Sequence, residues 1–242
     1  MKDPWRFPQY TWKKFLQLIG KFSAHSYTSH TTDSGLQYIL ACGEFKERDQ
    51  SYFAEHEAAM RNALAWTENN VIDGLYRCAD WRDNIRFPEN VALLSNNVML
   101  YRAYCILGET EKAERLKQKI KEVFWNGNYY ADQYTEQDGR SSFDLLGQSL
   151  AVQFGIVDSN QYGTIVDQME RMITPFGLRV NDRGPPLDRT KKEKRTDNRV
   201  NQYNTIWDIG TGEGIVALEM MKEEVPNVHD VALNVFTQWT HR

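Results

Sequence analysis

Along most of the chain, apolar side chains return at intervals of three and four residues, the period of a helix that buries one face. Residues 10–22 (YTWKKFLQLIGKF) align Phe15, Leu18, Ile19 and Phe22 in this way. After a polar stretch, Thr32 or Asp33 can cap a second helix through Leu36, Ile39 and Leu40. Ser51 is expected to cap a third, from Tyr52 to about Asn69, with Met60, Ala63, Leu64 and Trp66 on its apolar side. A fourth is expected from Glu89 to Leu107, presenting Val91, Leu94, Val98, Tyr101, Ala103 and Tyr104 and stopped by Gly108. The fifth, Glu109 to Phe124, carries spaced opposite charges and a narrow Ala113/Leu116/Ile120/Val123 stripe, which suits an outer surface. WNGNYYADQY then reads as a turn or short hairpin leading into a polar loop. Ser141 or Ser142 should cap a sixth helix, Phe143 to Phe154, and Asp158 should open a seventh that ends near Ile173. Residues 175–203, rich in Pro, Gly and charge, read as a long excursion loop. An eighth helix (about 204 or 212 to 224) and a ninth (about 227 to 240) follow.

This pattern predicts an all-α fold with almost no strand. Consecutive helices alternate between more apolar and more amphipathic, as αα-hairpins do, and such hairpins stack into a solenoid or curl into a toroid. The fixed-period self-similarity of solenoid repeats is missing, so an (α/α) toroid spanning residues 1–242 as one domain is the expected architecture.

Composition narrows the function classes. The 242 residues are 41% hydrophobic, enough for a sizeable core. Seven Trp and twelve Tyr are many for a chain of mean hydropathy −0.63. Flat apolar faces beside acids and amides suit sugars. A net charge of −4 with both signs mixed gives no footprint for nucleic acid or an anionic membrane, and the basic run RTKKEKR (189–195) reads as a solvated loop. Cys42, Cys78 and Cys105 are odd in number and widely spaced, which supports neither a disulfide framework nor a metal site and favours a reducing compartment. No apolar run approaches ~18 residues and the N-terminus lacks a signal-peptide core, so a cytoplasmic protein without a cofactor is expected.

Chemistry concentrates in residues 73–88, DGLYRCADWRDNIRFP. Asp73, Asp80 and Asp83 stand there beside Trp81, Arg77, Arg82 and Arg86, flanked by Tyr76 and Phe87. Such a segment is too charged for a core and too aromatic for an ordinary solvent loop. A second motif, WDIGTGEGIVALEMM (207–221), reads like the glycine-rich loop of an S-adenosylmethionine-dependent methyltransferase. That loop needs a buried strand before it and βα units after it. Here NRVNQYNT precedes it and fewer than thirty residues follow Gly214, so glycines at a helix entrance are the better account.

Five blocks resemble, in order, the amylo-alpha-1,6-glucosidase (glycogen debranching) group, related to trehalase-type glycoside hydrolases with (α/α)6 toroids. They are DSGLQYILACGEF (33–45), AWTENNVIDGLYRCADWRDN (65–84), residues 96–133 with FWNGNYYAD, FDLLGQSLAVQFGIVD (143–158) and NTIWDIGTGEGIVALEMM (204–221). The resemblance implies that Asp83, closing a Trp-x-Asp motif, is the general acid. A glycosidase needs an acid with a raised pKa to protonate the leaving oxygen and a second carboxylate to activate water. Trp81, Phe87 and an ionised Asp80 would raise the Asp83 pKa, whereas Arg82 or Arg86 paired with it would lower it. For the base the candidates are Glu213 first, with Asp208, Asp33 and Asp144 behind it; Asp33 and Asp144 also suit helix caps. Substrate-binding positions are Trp81, Asp80, Arg82, Arg86, Asp33, Tyr203 and Trp207. A complete toroid has twelve helices and this pattern has about nine. Either the groove is open or closed by a second subunit, or the chain keeps the fold without catalysis. The first outcome implies an inverting glycosidase of alpha-linked oligosaccharides; the second implies a carbohydrate-binding or protein-interaction domain.

Overall fold

The structure, a computed structural model, describes residues 33–80, 87, 90–137, 139–182, 206 and 208–240. Among these residues the fold is mostly helical, with eight α-helices. They are α1 (Ser34–Gly43), α2 (Gln50–Glu68), α3 (Leu94–Leu107), α4 (Thr110–Phe124), α5 (Leu145–Gln153), α6 (Tyr162–Glu170), α7 (Asp208–Met220) and α8 (Val228–Thr240). The expected helix over 10–22 lies outside the described residues.

The first helices of successive pairs form a row: α1 packs on α3, α3 on α5 and α5 on α7. Pairing within hairpins joins α1 to α2, α3 to α4 and α7 to α8. Burial follows this order. Helix α3 is buried nearly all round, from Leu94 to Leu107, and α5 is buried from Leu145 to Val152 apart from Leu146. By contrast α4 buries only Ala113, Leu116, Ile120, Val123 and Phe124, the stripe expected of an outer helix. Close approach in the row needs small residues: a Cβ on Gly43 would run into Ile106, which sets the C-terminal ends of α1 and α3 together.

Sheet is scarce among the described residues, as expected, and is confined to three small antiparallel sheets. β1 (Val71–Ile72) pairs with β2 (Leu75–Tyr76), and β6 (Ile173–Thr174) with β7 (Gly177–Leu178). The third sheet has the order β3-β4-β5, from Ala92–Leu93, Ala131–Thr135 and Gly139–Phe143. Strands of two residues are too short to show alternation, and Ala131–Thr135 (ADQYT) has no simple apolar/polar rhythm. This sheet also moves two helix starts. Ala92 and Leu93 pair with Tyr134 and Gln133, so α3 begins at Leu94 and not at Glu89. Phe143 pairs with Ala131, so α5 begins at Leu145, and its cap is Asp144, whose carboxylate accepts the Gly147 amide at 2.7 Å, not Ser141 or Ser142.

Other caps differ as well. Asp49 caps α2, its Oδ1 accepting the Tyr52 amide at 3.1 Å, while the Ser51 hydroxyl donates to the same oxygen. The expected seventh helix is a 3-10 turn, Ser159–Gln161, followed by the nine residues of α6. The GTGEG glycines lie in the first two turns of α7, which starts at Asp208 and includes Gly210, Gly212 and Gly214. A Cβ at Gly214 would meet Leu178 at 2.6 Å and Leu145 at 3.3 Å, so this glycine lets α7 settle against α5 and β7. With GTGEG inside a helix, the glycine-rich cofactor loop of a methyltransferase is not formed.

Candidate functional site at the N-terminal end of the helix row

The N-terminal turns of α3, α5 and α7 lie side by side. A Cβ on Gly147 would come within 3.0 Å of the Ser95 amide nitrogen, which places the first turn of α5 against that of α3. The segment after β7 joins α5 to α7: the Leu145 amide donates to the Val180 carbonyl at 2.8 Å, and the Leu178 amide to the Thr211 hydroxyl at 3.3 Å. Because α1 and α3 share their C-terminal ends, Asp33 at the start of α1 belongs to the same end. Four aspartates thus mark the starts of the row. Asp33 accepts from Gln37 Nε2 at 3.0 Å, Asp80 from the Ser95 hydroxyl at 3.0 Å, Asp144 from Gly147, and Asp208 from Trp239 Nε1 at 3.0 Å. The first three are buried and Asp208 is exposed. Helix N-termini favour carboxylates there, through unsatisfied amides and the macrodipole.

The acid-rich segment is rooted at this end by a dense polar framework. Ser95, Asn96 and Asn97 are consecutive on α3 and all fully buried. Asn96 Nδ2 donates to the carbonyls of Cys78 and Ala79, at 3.0 and 3.2 Å. Asn97 accepts the Tyr76 amide at 2.8 Å and donates to the carbonyls of Tyr76 and Leu93. Residues 76–80 are therefore tied to the first turn of α3, with the side-chain amides of Asn96 and Asn97 supplying partners for their backbone.

Arg77 ties the two feet of the intervening segment together. Its guanidinium is 3% exposed and donates to the Asn90 carbonyl at 2.8 Å and the Ile72 carbonyl at 3.4 Å. It also forms a two-pronged pair with Glu136 in the β4-β5 turn, at 2.5 and 3.3 Å. That hydrogen bond holds the Glu136 carboxyl below the usual carboxylate range. Neither Arg77 nor the Ser95–Asn97 run stands out by periodicity. The available signal was three polar residues interrupting an otherwise apolar helix pattern.

Opposite, the hairpin after α4 carries a second network. Asp182 accepts the Phe143 amide at 2.9 Å, the Tyr129 hydroxyl at 3.3 Å and Gln168 Nε2 at 3.2 Å. Gln148 accepts the Tyr130 amide, and the Tyr130 hydroxyl donates to Gln161. Burial pushes the Tyr130 phenol up to about 12, so it is a neutral donor here. Residues 183–205 leave from Asp182, which follows the Asn181–Asp144 bridge, and the chain is described again at Ile206, bridged to Arg179.

Of the residues nominated from the sequence, Asp83, Trp81, Arg82, Arg86, Tyr203 and Trp207 lie outside the described residues. Asp80 and Asp144 come to adjacent helix starts. Glu213 sits farther along α7, its carboxylate accepting from Gln153 Nε2, on the last residue of α5, at 2.6 Å. Among the described residues no cluster of His, Cys, Asp or Glu is arranged to hold a metal ion, all three cysteines are free, and no helix is long and apolar enough to cross a membrane. Burial pushes the Cys42 thiol up, which makes it an inert core group. A scan against protein-family models finds no match to this chain, and a search of curated proteins finds no related sequence.

Proposed function

We propose that this chain is a glycoside hydrolase of the inverting, six-hairpin type that acts on alpha-linked oligosaccharides in the cytoplasm, with the helix row as part of an (α/α) toroid. One observation carries the reading. The segment bearing Trp81 and Asp83, and the segment bearing Tyr203 and Trp207, are both rooted at the end where the helices of the row start. The described residues next to these segments, Asp80 and Ile206, and the buried Ser95–Asn97 framework lie at that end, and convergent polar groups of this kind suit a sugar. Asp83 is the general acid and Glu213 the leading candidate base, with Asp208, Asp33 and Asp144 behind it; inversion needs roughly 6.5–9.5 Å between the two carboxyls, leaving room for water. Asp80, Arg82, Arg86 and Asp33 would bind sugar hydroxyls. The test is release of reducing sugar from alpha-linked gluco-oligosaccharides. Asp83→Asn should lower kcat by about 10²–10⁴ with little change in melting temperature, and undiminished hydrolysis would remove the assignment.

A second reading is favoured by a different observation: each described carboxylate at issue already serves a structural bond, Asp33 to Gln37, Asp80 to Ser95, Asp144 to Gly147, Asp208 to Trp239 and Glu213 to Gln153. On that reading the chain is a carbohydrate-binding or protein-interaction domain without turnover. Oligosaccharide would then change tryptophan fluorescence while no reducing sugar appears.

The partner proposed on either reading is a second copy of the chain, seated on exposed apolar residues of α7 and α8. Ile209, Val216 and Met220 fall on one stripe of α7, and Leu233 and Phe236 lie on α8, each about half exposed.

A further inference from the structure

We propose that the cavity between the β1-β2 hairpin and α4 binds a small hydroxylated organic phosphate, of the hexose phosphate class. The cavity measures about 360 Å³, within the usual range for small-ligand sites. Its apolar floor comes from Leu100 of α3 and Leu116 of α4. Lys112, Arg115 and Lys119 line it at three- and four-residue spacing, which puts three cations on one face of α4. The facing wall is the hairpin turn, Asp73 (φ 52°) and Gly74 (φ 78°), and Asp73 is the one carboxylate of the lining.

The three cations are not equivalent. Lys112 is occupied: it donates to Glu68 at 2.8 Å, has Glu109 at 3.6 Å and stands over the Tyr104 ring at 5.7 Å. Arg115 has Glu111 no nearer than 4.0 Å, with both side chains largely exposed, and Lys119 meets exposed Glu122 at 3.4 Å. Such exposed pairs are worth little and exchange readily for a better anion. Arg115 and Lys119 stand one helical turn apart, about 6 Å along the axis, a span that one phosphate group bridges with two oxygens. Half-buried Val71 and the alkyl stem of Lys119 then meet the face of a sugar ring above the leucines, and Asp73 accepts from its hydroxyls. A second cavity of about 280 Å³ at the start of α4 shares Lys112 and Arg115, but Glu109 and Glu111 also line it, so the phosphate is assigned to the first cavity. This site is separate from the helix-row end and its occupancy does not require the chain to hydrolyse glycosides.

Titration calorimetry with glucose 6-phosphate on the full chain tests the assignment. Binding is expected, weakening with added salt, and at least roughly tenfold tighter than that of inorganic phosphate or glucose alone. Arg115→Ala with Lys119→Ala should reduce affinity at least tenfold, Asp73→Asn should reduce the advantage over inorganic phosphate, and Lys222→Ala on the far hairpin should change nothing. If the double variant loses its fold by circular dichroism, the single Arg115→Ala, at a largely exposed position, serves in its place. Three outcomes would each overturn the proposal. They are no heat at millimolar ligand, equal affinity for inorganic and hexose phosphate, and unchanged affinity in the folded variant. Binding to phosphatidic acid vesicles in place of glucose 6-phosphate would transfer the site to a lipid headgroup and overturn it as well.

Discussion

Arg77 is the residue on which the candidate site most depends among those described. A guanidinium buried against two carbonyls and one carboxylate makes several bonds that no other side chain reproduces. Arg77→Leu should destabilise the fold by about 1–3 kcal/mol, since the Asn90 carbonyl loses its donor, and chemical denaturation checks it. A pH dependence follows too. Glu136 has a folded-state pKa below its unfolded value, so its stabilising contribution is present above the unfolded value and is lost as pH falls through the folded one. Acid unfolding of the wild type should include this loss, and Arg77→Leu should show a shallower decline over that acid range. At this scale the sequence was informative about acids and aromatics. Asp80 was singled out because charge beside Trp81 is conspicuous in any context, and the folded chain buries it against the Ser95 hydroxyl, whereas Asp83 lies outside the described residues. Ser95, Asn96 and Asn97 were not singled out, because a period analysis assigns polar residues to the wet face, and here they satisfy buried backbone that exists only in the folded chain.

Among elements, α7 separates pattern from packing most clearly. Its GTGEG run invites a loop reading, since each glycine costs helix stability relative to alanine. The folded protein uses Gly214 for contact: Leu178 and Leu145 occupy the space a side chain would need. Gly214→Val should cost about 1–3 kcal/mol through overpacking, whereas Gly212→Ala, with no atom within 4 Å of its added Cβ, should be neutral or stabilising. Paired thermal melts decide this. The helix start moved by the β3-β4-β5 sheet gives a second contrast. Asp144→Ala should cost about 0.5–2 kcal/mol as a lost cap, and Ser142→Ala should leave α5 intact. The helices themselves were legible because their stripes are long; the sheet was not, because its register depends on residues some forty positions apart.

For the whole molecule, the order of hairpins was readable and their closure was not. Alternating buried and amphipathic helices announce an inner row with outer partners, which α3 and α4 bear out in their burial. Which neighbour covers the outer face of α7 depends on contacts with no local sequence signature. A second copy seated on Ile209, Val216 and Met220 predicts a dimer whose fraction rises with concentration in light scattering, and Val216→Lys should shift it to monomer without lowering the melting temperature. A monomer at all concentrations would remove that partner.

Helix α3 carries one more consequence. Apart from half-buried Arg102 and Cys105, its residues from Leu94 to Leu107 are buried, and α1, α4, α5 and the strands β2, β3 and β4 pack against it. Amide protons from Val98 to Ala103 should then exchange with deuterium only through complete unfolding, and their rates report global stability directly. A hexose phosphate that binds the folded chain would slow these deeply buried protons by the factor set by its occupancy. The core of the row thus records, in isotope exchange, a ligand held on its outer surface.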